Sequence, residues 1–130
     1  MDGTVYVGDR PIRGTVEFID RNACERTFYF VTNNTSKLPE DYRLKLNAMG
    51  IPVDGAHVIT PLTPLIAYLQ ARALRNVYIL GNVRFEAYLR QALPELQLTT
   101  DPDACEALIV AYDTELTYDN FRGPAADLLQ

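Results

Sequence analysis

The chain has 130 residues, a length that suits one domain of ordinary size or parts of two small ones. With 48% hydrophobic and 22% charged residues, its composition is that of a folded globular protein, which excludes intrinsic disorder. The net charge of −5 and the scattered arginines argue against a nucleic acid partner. The longest apolar run, Ala107 to Tyr112, is too short to cross a bilayer, and the acid at Asp2 is atypical of a signal peptide. We therefore expect a cytoplasmic protein without a membrane partner.

The scarcity of several reactive side chains limits the chemistry that the chain can perform. It has one serine, Ser36, and one histidine, His57, which excludes a zinc site of three histidines. Ser36 also lacks the G-x-S-x-G context of a serine nucleophile. The two cysteines, Cys24 and Cys105, are far apart in sequence and distant from the histidine. We expect them to be buried thiols rather than a redox or zinc site.

Hydrophobic periodicity and turn residues predict the elements of the first half of the chain. In order these are a strand end over residues 5–7, a turn over 8–11, a helix over about 15–25, a strand over 27–32 and a helix over 39–49. The strand over 27–32 is aromatic and β-branched and stops at a polar run, Asn33 to Ser36, which predicts a buried strand that delivers a loop. Gly50 is placed to end the following helix.

The second half repeats the alternation of strands and helices. Its predicted elements are a strand over residues 58–60, a helix from about 61 to 74, a strand over 76–80, a helix over 83–92, strands over 96–99 and 107–112, and a helix over 116–121. This alternation predicts an α/β fold with a parallel sheet. Glycines and prolines crowd together between Gly50 and Pro64, where we expect a domain boundary.

Two polar motifs at predicted strand ends suggest phosphoryl chemistry, which needs a carboxylate nucleophile, a second acid and Mg²⁺. The motif Asp2-Gly3-Thr4, with Thr32-Asn33-Asn34 about thirty residues later, resembles the first two motifs of the haloacid dehalogenase (HAD) superfamily of phosphatases. The wider match of M-D-G-T-V-Y, F-V-T-N-N-T-S-K and G-I-P-V before I-T-P-L is similar to the p-nitrophenylphosphatase and NagD-like branch. Residues 77–81 and 107–118 resemble the cap of that branch, so the resemblance covers nearly the whole chain.

The resemblance implies a fold and a reaction. Residues 1–60 would form the N-terminal part of a HAD-like parallel-sheet core, and residues 61–130 would form part of an α/β cap domain. The implied activity is Mg²⁺-dependent hydrolysis of a phosphate monoester through an aspartyl-phosphate. The expected partner is therefore a small phosphorylated metabolite, with Mg²⁺ as the cofactor.

The resemblance also implies roles for individual residues. Asp2 would act as the general acid/base and would offer its backbone carbonyl to Mg²⁺, while Thr32 would hydrogen-bond the transferring phosphoryl group. The remaining residues would form the phosphate pocket: Gly3 by its close turn, Thr4 by steadying the loop, Asn33 through its backbone N–H, and Asn34 by shaping the wall.

The chain departs from the family pattern in two ways. The pattern is D-x-D-G-T, in which the first Asp is the nucleophile; because Met1 stands at x, the nucleophile would precede the first residue. The third-motif lysine and the fourth-motif acids of the family would lie beyond residue 130. We therefore expect a fragment of a HAD-like hydrolase, with little or no phosphatase activity of its own.

Other interpretations remain open at this point. The chain could be a non-catalytic interaction module, or a homo-oligomer in which another copy supplies missing strands by edge pairing or domain swapping. A receiver-like phosphoacceptor would need an acidic pair at the first strand end, which the sequence lacks. Asp2 could be a plain terminal acid, and Thr32-Asn33-Asn34 could be a strand-ending Asx turn.

Overall fold

The computed structural model describes residues 1–112 and Thr117, and it confirms the mixed α/β class with parallel strand pairing. The chain divides into two compact units. The first unit comprises residues 1–33 and 39–61, and the second comprises residues 34–38 and the described residues from Leu62 onward. Within the described residues, no helix combines the length and apolar character needed to cross a membrane. The helix predicted over residues 116–121 lies outside the described residues apart from Thr117.

The first unit contains short strands and two helices. Its elements are β1 (Tyr6–Val7), β2 (Arg10–Pro11), α1 (Thr15–Asn22), β3 (Phe30–Val31), α2 (Pro39–Ala48), a 3₁₀ turn (Gly55–His57) and β4 (Val58–Ile59). Strands β1 and β2 pair antiparallel, whereas β3 and β4 pair parallel. The prediction of a turn over residues 8–11 was too long. Gly8, with a φ of 57°, lets the chain reverse within Gly8-Asp9, so that Val7 pairs with Arg10.

The core of the first unit contains aliphatic side chains and two tyrosines. The buried members are Tyr6, Ile19, Phe30, Tyr42, Leu46, Ile51 and Val58. Helix α2 ends at Ala48, and Gly50 follows it as the predicted capping residue. The φ of Gly50, 82°, suits glycine, and the Ile51 N–H donates to the Leu46 carbonyl at 3.0 Å. Asn47 then fixes the next segment, because its side chain accepts from the Val53 N–H at 2.9 Å.

The second unit is built on a three-stranded parallel sheet. Its elements are α3 (Leu62–Ala71), β5 (Asn76–Leu80), α4 (Val83–Ala92), β6 (Gln97–Leu98), a 3₁₀ turn (Pro102–Ala104) and β7 (Ala107–Val110). The strand order is β6-β5-β7, so the apolar β5 lies in the centre. Helix α4 begins at the buried Asn82, whose side chain accepts from the Phe85 N–H at 2.9 Å.

Several sequence-based details differ from the structure. Helix α3 begins at Leu62 rather than near Pro61, and it ends at Ala71 because Ala73 adopts a φ of 53° and breaks the helical path. The interpretation of Cys24 as a buried thiol was wrong, since it lies in the exposed turn after α1. Cys105 is half-buried, and its thiol donates to the Ala107 carbonyl at 3.3 Å.

Candidate functional site

The N-terminal motif forms a tight loop ahead of β1. The Val5 N–H donates to the Met1 carbonyl at 2.8 Å, and the Gly3 N–H donates to the Tyr6 carbonyl at the same distance. Gly3 has a φ of 72°, which a residue with a side chain rarely adopts. Asp2, Gly3 and the following threonine are exposed, so the loop presents the Asp2 carboxyl group at the surface of the first unit.

The same loop is tied to the carboxyl end of β3. The Met1 ammonium group donates to the Val31 carbonyl at 3.2 Å. The next residue, Thr32, donates its N–H to the Ile59 carbonyl of β4 at 3.0 Å, which fixes the backbone where β3 ends. Thr32 is half-buried and Asn33 is exposed. The structure therefore brings the first predicted motif and the start of the second into one region of the first unit.

Two buried phenols lie beside this region, and the sequence analysis did not identify them as site residues. Tyr6 is 3% exposed and Tyr42 is 4% exposed. Burial raises the pKa of Tyr42, and a hydrogen bond with the Thr32 side chain, which favours the phenolate, offsets part of that rise. The Asp41 and Asp2 carboxylates add to the rise. Burial also raises the pKa of Tyr6, and the Tyr42 phenol and the Asp2 carboxylate raise it further by smaller amounts.

Charge and hydrogen bonding connect the two phenols with Asp2 and Thr32. Both phenols remain protonated at neutral pH, because their pKa values lie above the ordinary value of 10.0. Each phenol experiences the negative charge of Asp2, so Asp2, Thr32, Tyr6 and Tyr42 form one polar cluster, which we call the Asp2 cluster. The sequence signal that the chain offers for Tyr42 is its helical spacing from Leu46, which indicates burial but not the partner of its hydroxyl group.

A lysine packs against the ring of Tyr6, one member of the Asp2 cluster. The Lys45 ammonium nitrogen lies 4.3 Å from the centroid of the Tyr6 ring, within the range of a cation–π contact. It also lies 3.2 Å from a carboxylate oxygen of the exposed Asp9. Lys45 thus fixes the Tyr6 ring against α2, which is a structural role.

Asn34 lies in the second unit and forms a local turn. Its side-chain oxygen accepts hydrogen bonds from the Ser36 N–H and the Ser36 hydroxyl, both at 2.7 Å. The same segment is held by two further contacts, since the Thr35 hydroxyl oxygen accepts from the Tyr112 N–H at 2.6 Å and the Asn82 side chain donates to the Ser36 carbonyl at 3.4 Å. An Asx turn at Asn34, one of the interpretations left open by the sequence, is therefore present.

The donor set bears on whether Mg²⁺ could be held by these residues. Mg²⁺ prefers six oxygen ligands in octahedral geometry. The structurally described residues contain no cluster of three or more His, Cys, Asp or Glu side chains that could hold a metal ion. The carboxylate of Asp2 and its neighbouring backbone therefore do not make up a magnesium site by themselves.

An apolar groove of about 570 Å³ lies next to the N-terminal loop within the first unit. Its lining includes Thr4, Phe18, Phe28 and Val31, with the guanidinium of Arg13 as a charged group on its wall. Phe18 and Val31 are more than half exposed. The groove therefore leaves apolar surface beside β3 accessible.

Comparison with known proteins shows the family of the chain. A sequence model described as "Haloacid dehalogenase-like hydrolase" matches residues 1–93. The chain is 32% identical over 124 residues to the 5′-nucleotidase YutF of Bacillus subtilis, covering 93% of this chain and 46% of the relative. It is 33% identical over 122 residues to the acid sugar phosphatase of Staphylococcus haemolyticus, covering 92% of this chain and 45% of the relative.

A solved structure supports the same assignment at the level of the fold. The 4-nitrophenylphosphatase of Thermotoga maritima superposes with a TM-score of 0.82 at 27% sequence identity, covering 99% of this chain and 48% of the other. The chain therefore spans about half the length of the curated relatives and the solved structure that it matches. The matched residues include both predicted motifs.

Proposed function

We propose that this chain, which belongs to the haloacid dehalogenase-like hydrolase family, carries the phosphate-binding part of a phosphate monoester hydrolase site. The observation that supports this most strongly is the Asp2 cluster, in which the Asp2 carboxyl and the Thr32 hydroxyl share the same buried phenol as a neighbour. The proposed ligand is a small phosphorylated metabolite, in keeping with relatives named for nucleotide and sugar phosphate hydrolysis.

The proposed roles follow from the chemistry of each group. Asp2 protonates the oxygen of the leaving group and later accepts a proton from water, because it is an exposed carboxyl at the mouth of the loop. Thr32 donates its hydroxyl proton to an oxygen of the phosphoryl group, and the backbone N–H of Asn33 donates to another. Gly3 allows the backbone to approach the phosphate closely. Thr4 steadies the loop, whereas Asn34 belongs to the second unit and is not assigned to this site.

A polypeptide of these 130 residues is proposed to bind phosphate without hydrolysing its esters. In the D-x-D-G-T pattern the attacking carboxylate stands two positions before Asp2, and Met1 is the residue between them. The Asp2 backbone carbonyl would be one ligand of the Mg²⁺ that the resemblance implies, and the other ligands would come from further residues. Without an attacking group, positioning and electrostatic stabilisation of the phosphoryl group cannot complete the transfer.

A chimera with the Bacillus subtilis relative tests this proposal. The region of that relative that matches this chain is replaced by this chain, so the relative supplies all remaining residues. We expect the chimera to hydrolyse 4-nitrophenyl phosphate in the presence of Mg²⁺. The substitution Asp2→Asn should lower kcat about 100-fold or more, since it removes a general acid. The 130-residue polypeptide alone should show no turnover above that of its Asp2→Asn variant.

Asp20→Asn serves as the matched control, because Asp20 is an exposed aspartate on α1 outside the cluster. It should leave kcat of the chimera unchanged. A folded chimera without activity, or an Asp2→Asn chimera with full activity, would contradict the proposed function. Turnover by the polypeptide alone that depends on Asp2 would contradict the proposed need for further residues.

The exposed edge of β3 favours a second candidate function, the association of copies of this chain. Among the described residues β3 pairs only with β4, and Val31 is 58% exposed beside the apolar groove. Apart from the hydrogen bond from the Met1 ammonium group to the Val31 carbonyl, no described residue pairs with the other edge of β3, and an open edge flanked by apolar surface is a template for strand pairing. Sedimentation distinguishes the candidates: a dimer that Val31→Lys dissociates supports association, and a compact monomer at all concentrations contradicts it.

A further inference from the structure

Thr60 is a buried polar residue to which the resemblance assigns no role. It follows β4 directly and is 1% exposed. Its hydroxyl oxygen is closed off from solvent and has no hydrogen-bond partner among the residues that the structure describes. Burying a hydroxyl group without a partner lowers stability, and valine would fill the same space without that cost. The presence of threonine here therefore needs an explanation outside the packing of the core.

The register of β3 and β4 places Thr60 beside Thr32. The two strands run parallel with Val31 opposite Ile59. The Thr32 N–H donates to the Ile59 carbonyl at 3.0 Å, which is the hydrogen bond expected when the same register continues by one residue and sets Thr32 opposite Thr60. Residues opposite each other in a sheet share a face, and neighbouring strands lie about 4.8 Å apart. The two threonine side chains are therefore neighbours at the carboxyl ends of β3 and β4.

The face of the sheet that carries both threonines changes from apolar to polar at this pair. Two residues earlier on that face, Phe30 is 6% exposed, Val58 is 4% exposed, and both belong to the core of the first unit. Threonines on neighbouring strands can hydrogen-bond through their hydroxyl groups. Because the Thr60 oxygen is closed off from solvent while Thr32 is half-buried, Thr60 cannot meet a ligand itself and can act only through Thr32.

We propose that Thr60 is a positioning residue whose hydroxyl donates to the Thr32 hydroxyl oxygen when phosphate binds, and thereby holds the Thr32 proton toward a phosphoryl oxygen. A threonine hydroxyl carries one proton and also accepts through its oxygen, so Thr32 can do both at once. The bond also gives the Thr60 hydroxyl the partner that it lacks among the described residues of the free protein. This inference rests on the proposed function, because it requires that Thr32 contacts phosphate.

Phosphate affinity of the 130-residue protein tests the proposal. Inorganic phosphate is titrated into ¹⁵N-labelled protein, and the dissociation constant is taken from the amide resonances of Thr32 and Asn33. We expect Thr60→Val to weaken binding about threefold to tenfold, the effect of losing one neutral hydrogen bond, and Thr60→Ser to bind within about twofold of the wild type. Thr27→Val is the matched control, because Thr27 is an exposed threonine ahead of β3, and it should bind phosphate like the wild type.

Two further readouts separate positioning from a structural role. In a Thr32→Val background the hydroxyl that Thr60 acts through is absent, so Thr60→Val should have no further effect on phosphate affinity. Thr60→Val should also raise the urea midpoint of the free protein, because it removes a buried hydroxyl that has no partner in the described part of the chain. Losses of affinity that add in the double variant, or a midpoint that Thr60→Val lowers, would overturn the inference.

A measurement on the unaltered threonine covers the case in which Thr60→Val does not fold. In ¹³C-labelled wild type the Cβ resonance of Thr60 should shift on addition of phosphate and should saturate together with the Thr32 amide, and in Thr32→Val this shift should be absent. Equal phosphate affinity of Thr60→Val and the wild type, or a Thr60 Cβ resonance that phosphate leaves unchanged, would overturn the inference alone. A wild type that does not bind phosphate would overturn the proposed function and this inference with it.

Discussion

In the second unit the central strand β5 runs for five residues and pairs on both sides, whereas β3 of the first unit runs for two residues and, within the described part of the chain, pairs with β4 alone. The cores differ in the same way. The fully buried side chains of the second unit include Leu69, Val77 and Leu89, which carry no polar atoms. The core of the first unit includes two phenols whose hydroxyl groups need polar partners.

This difference indicates where stability and chemistry are concentrated. An aliphatic core gains its stability from the burial and close packing of apolar side chains, without hydrogen bonds between those side chains. A core that buries hydroxyl groups must satisfy their hydrogen bonds, and such groups persist where they position reactive side chains. In the first unit the two buried phenols lie within the field of Asp2, and one of them contacts Thr32, while the described part of the second unit is a scaffold of parallel strands and helices.

The largest stability effect should come from the aliphatic core of the second unit. Leu89 is 0% exposed on α4, so Leu89→Ala should lower the free energy of unfolding by about 2–5 kcal/mol through the cavity that it leaves. Leu44→Ala, at a position that is 54% exposed on α2, should change it by about 0.5 kcal/mol or less. Urea denaturation measures both. A cost for Leu89→Ala as small as that for Leu44→Ala would contradict the account of this core.

A smaller effect, with a defined pH dependence, should come from Glu106 in the second unit. Its carboxylate accepts from the backbone N–H groups of Asn76 and Arg75, both at 2.7 Å, and these bonds lower the pKa of Glu106 below its ordinary value of 4.5. A carboxyl group whose pKa is lower in the folded state than in the unfolded state stabilises the fold at pH values above its ordinary pKa. That stabilisation is lost as the pH falls through the pKa of the folded state.

Glu106→Gln should therefore lower the urea midpoint at pH 7 and should remove part of the loss that the wild type shows below about pH 4.5. Glu95→Gln provides the matched control. Glu95 meets Arg75 in an exposed ion pair at 3.1 Å, which should contribute little. An acid-induced loss of stability that is the same in wild type and Glu106→Gln would show that the start of β5 does not depend on this carboxylate.

The sequence predicted the order of helices and strands well but could not predict the polar contacts of the site. The sequence predicted β5 and α4 with the bounds that the structure shows, because burial on one face leaves a regular pattern. The strand predicted over residues 27–32 shortens to Phe30–Val31, since pairing with the two-residue β4 determines its length. Local sequence does not encode such a tertiary limit.

For the residues of the candidate site too, the sequence indicated the elements but not the contacts between them. The motifs identified Asp2 and Thr32 by resemblance, and the structure places both beside one buried phenol. Helical spacing indicated that Tyr42 is buried, but the partner of its hydroxyl group depends on how α2 packs against the end of β3. Cys24 was expected to be buried from its residue type, yet the end of α1 leaves it in an exposed turn. Contacts between elements distant in sequence decide these cases.

The phosphate titration of the wild-type 130-residue protein, mapped residue by residue, tests the central claim most directly. The account predicts saturable amide shifts at Gly3, Thr32 and Asn33 in the first unit, while the amides of β5 and α4 stay unchanged. Sulfate at the same concentration controls for ionic strength and should produce smaller shifts. Saturable shifts confined to the second unit, or none at Gly3 and Thr32, would contradict the claim that these residues form a phosphate site.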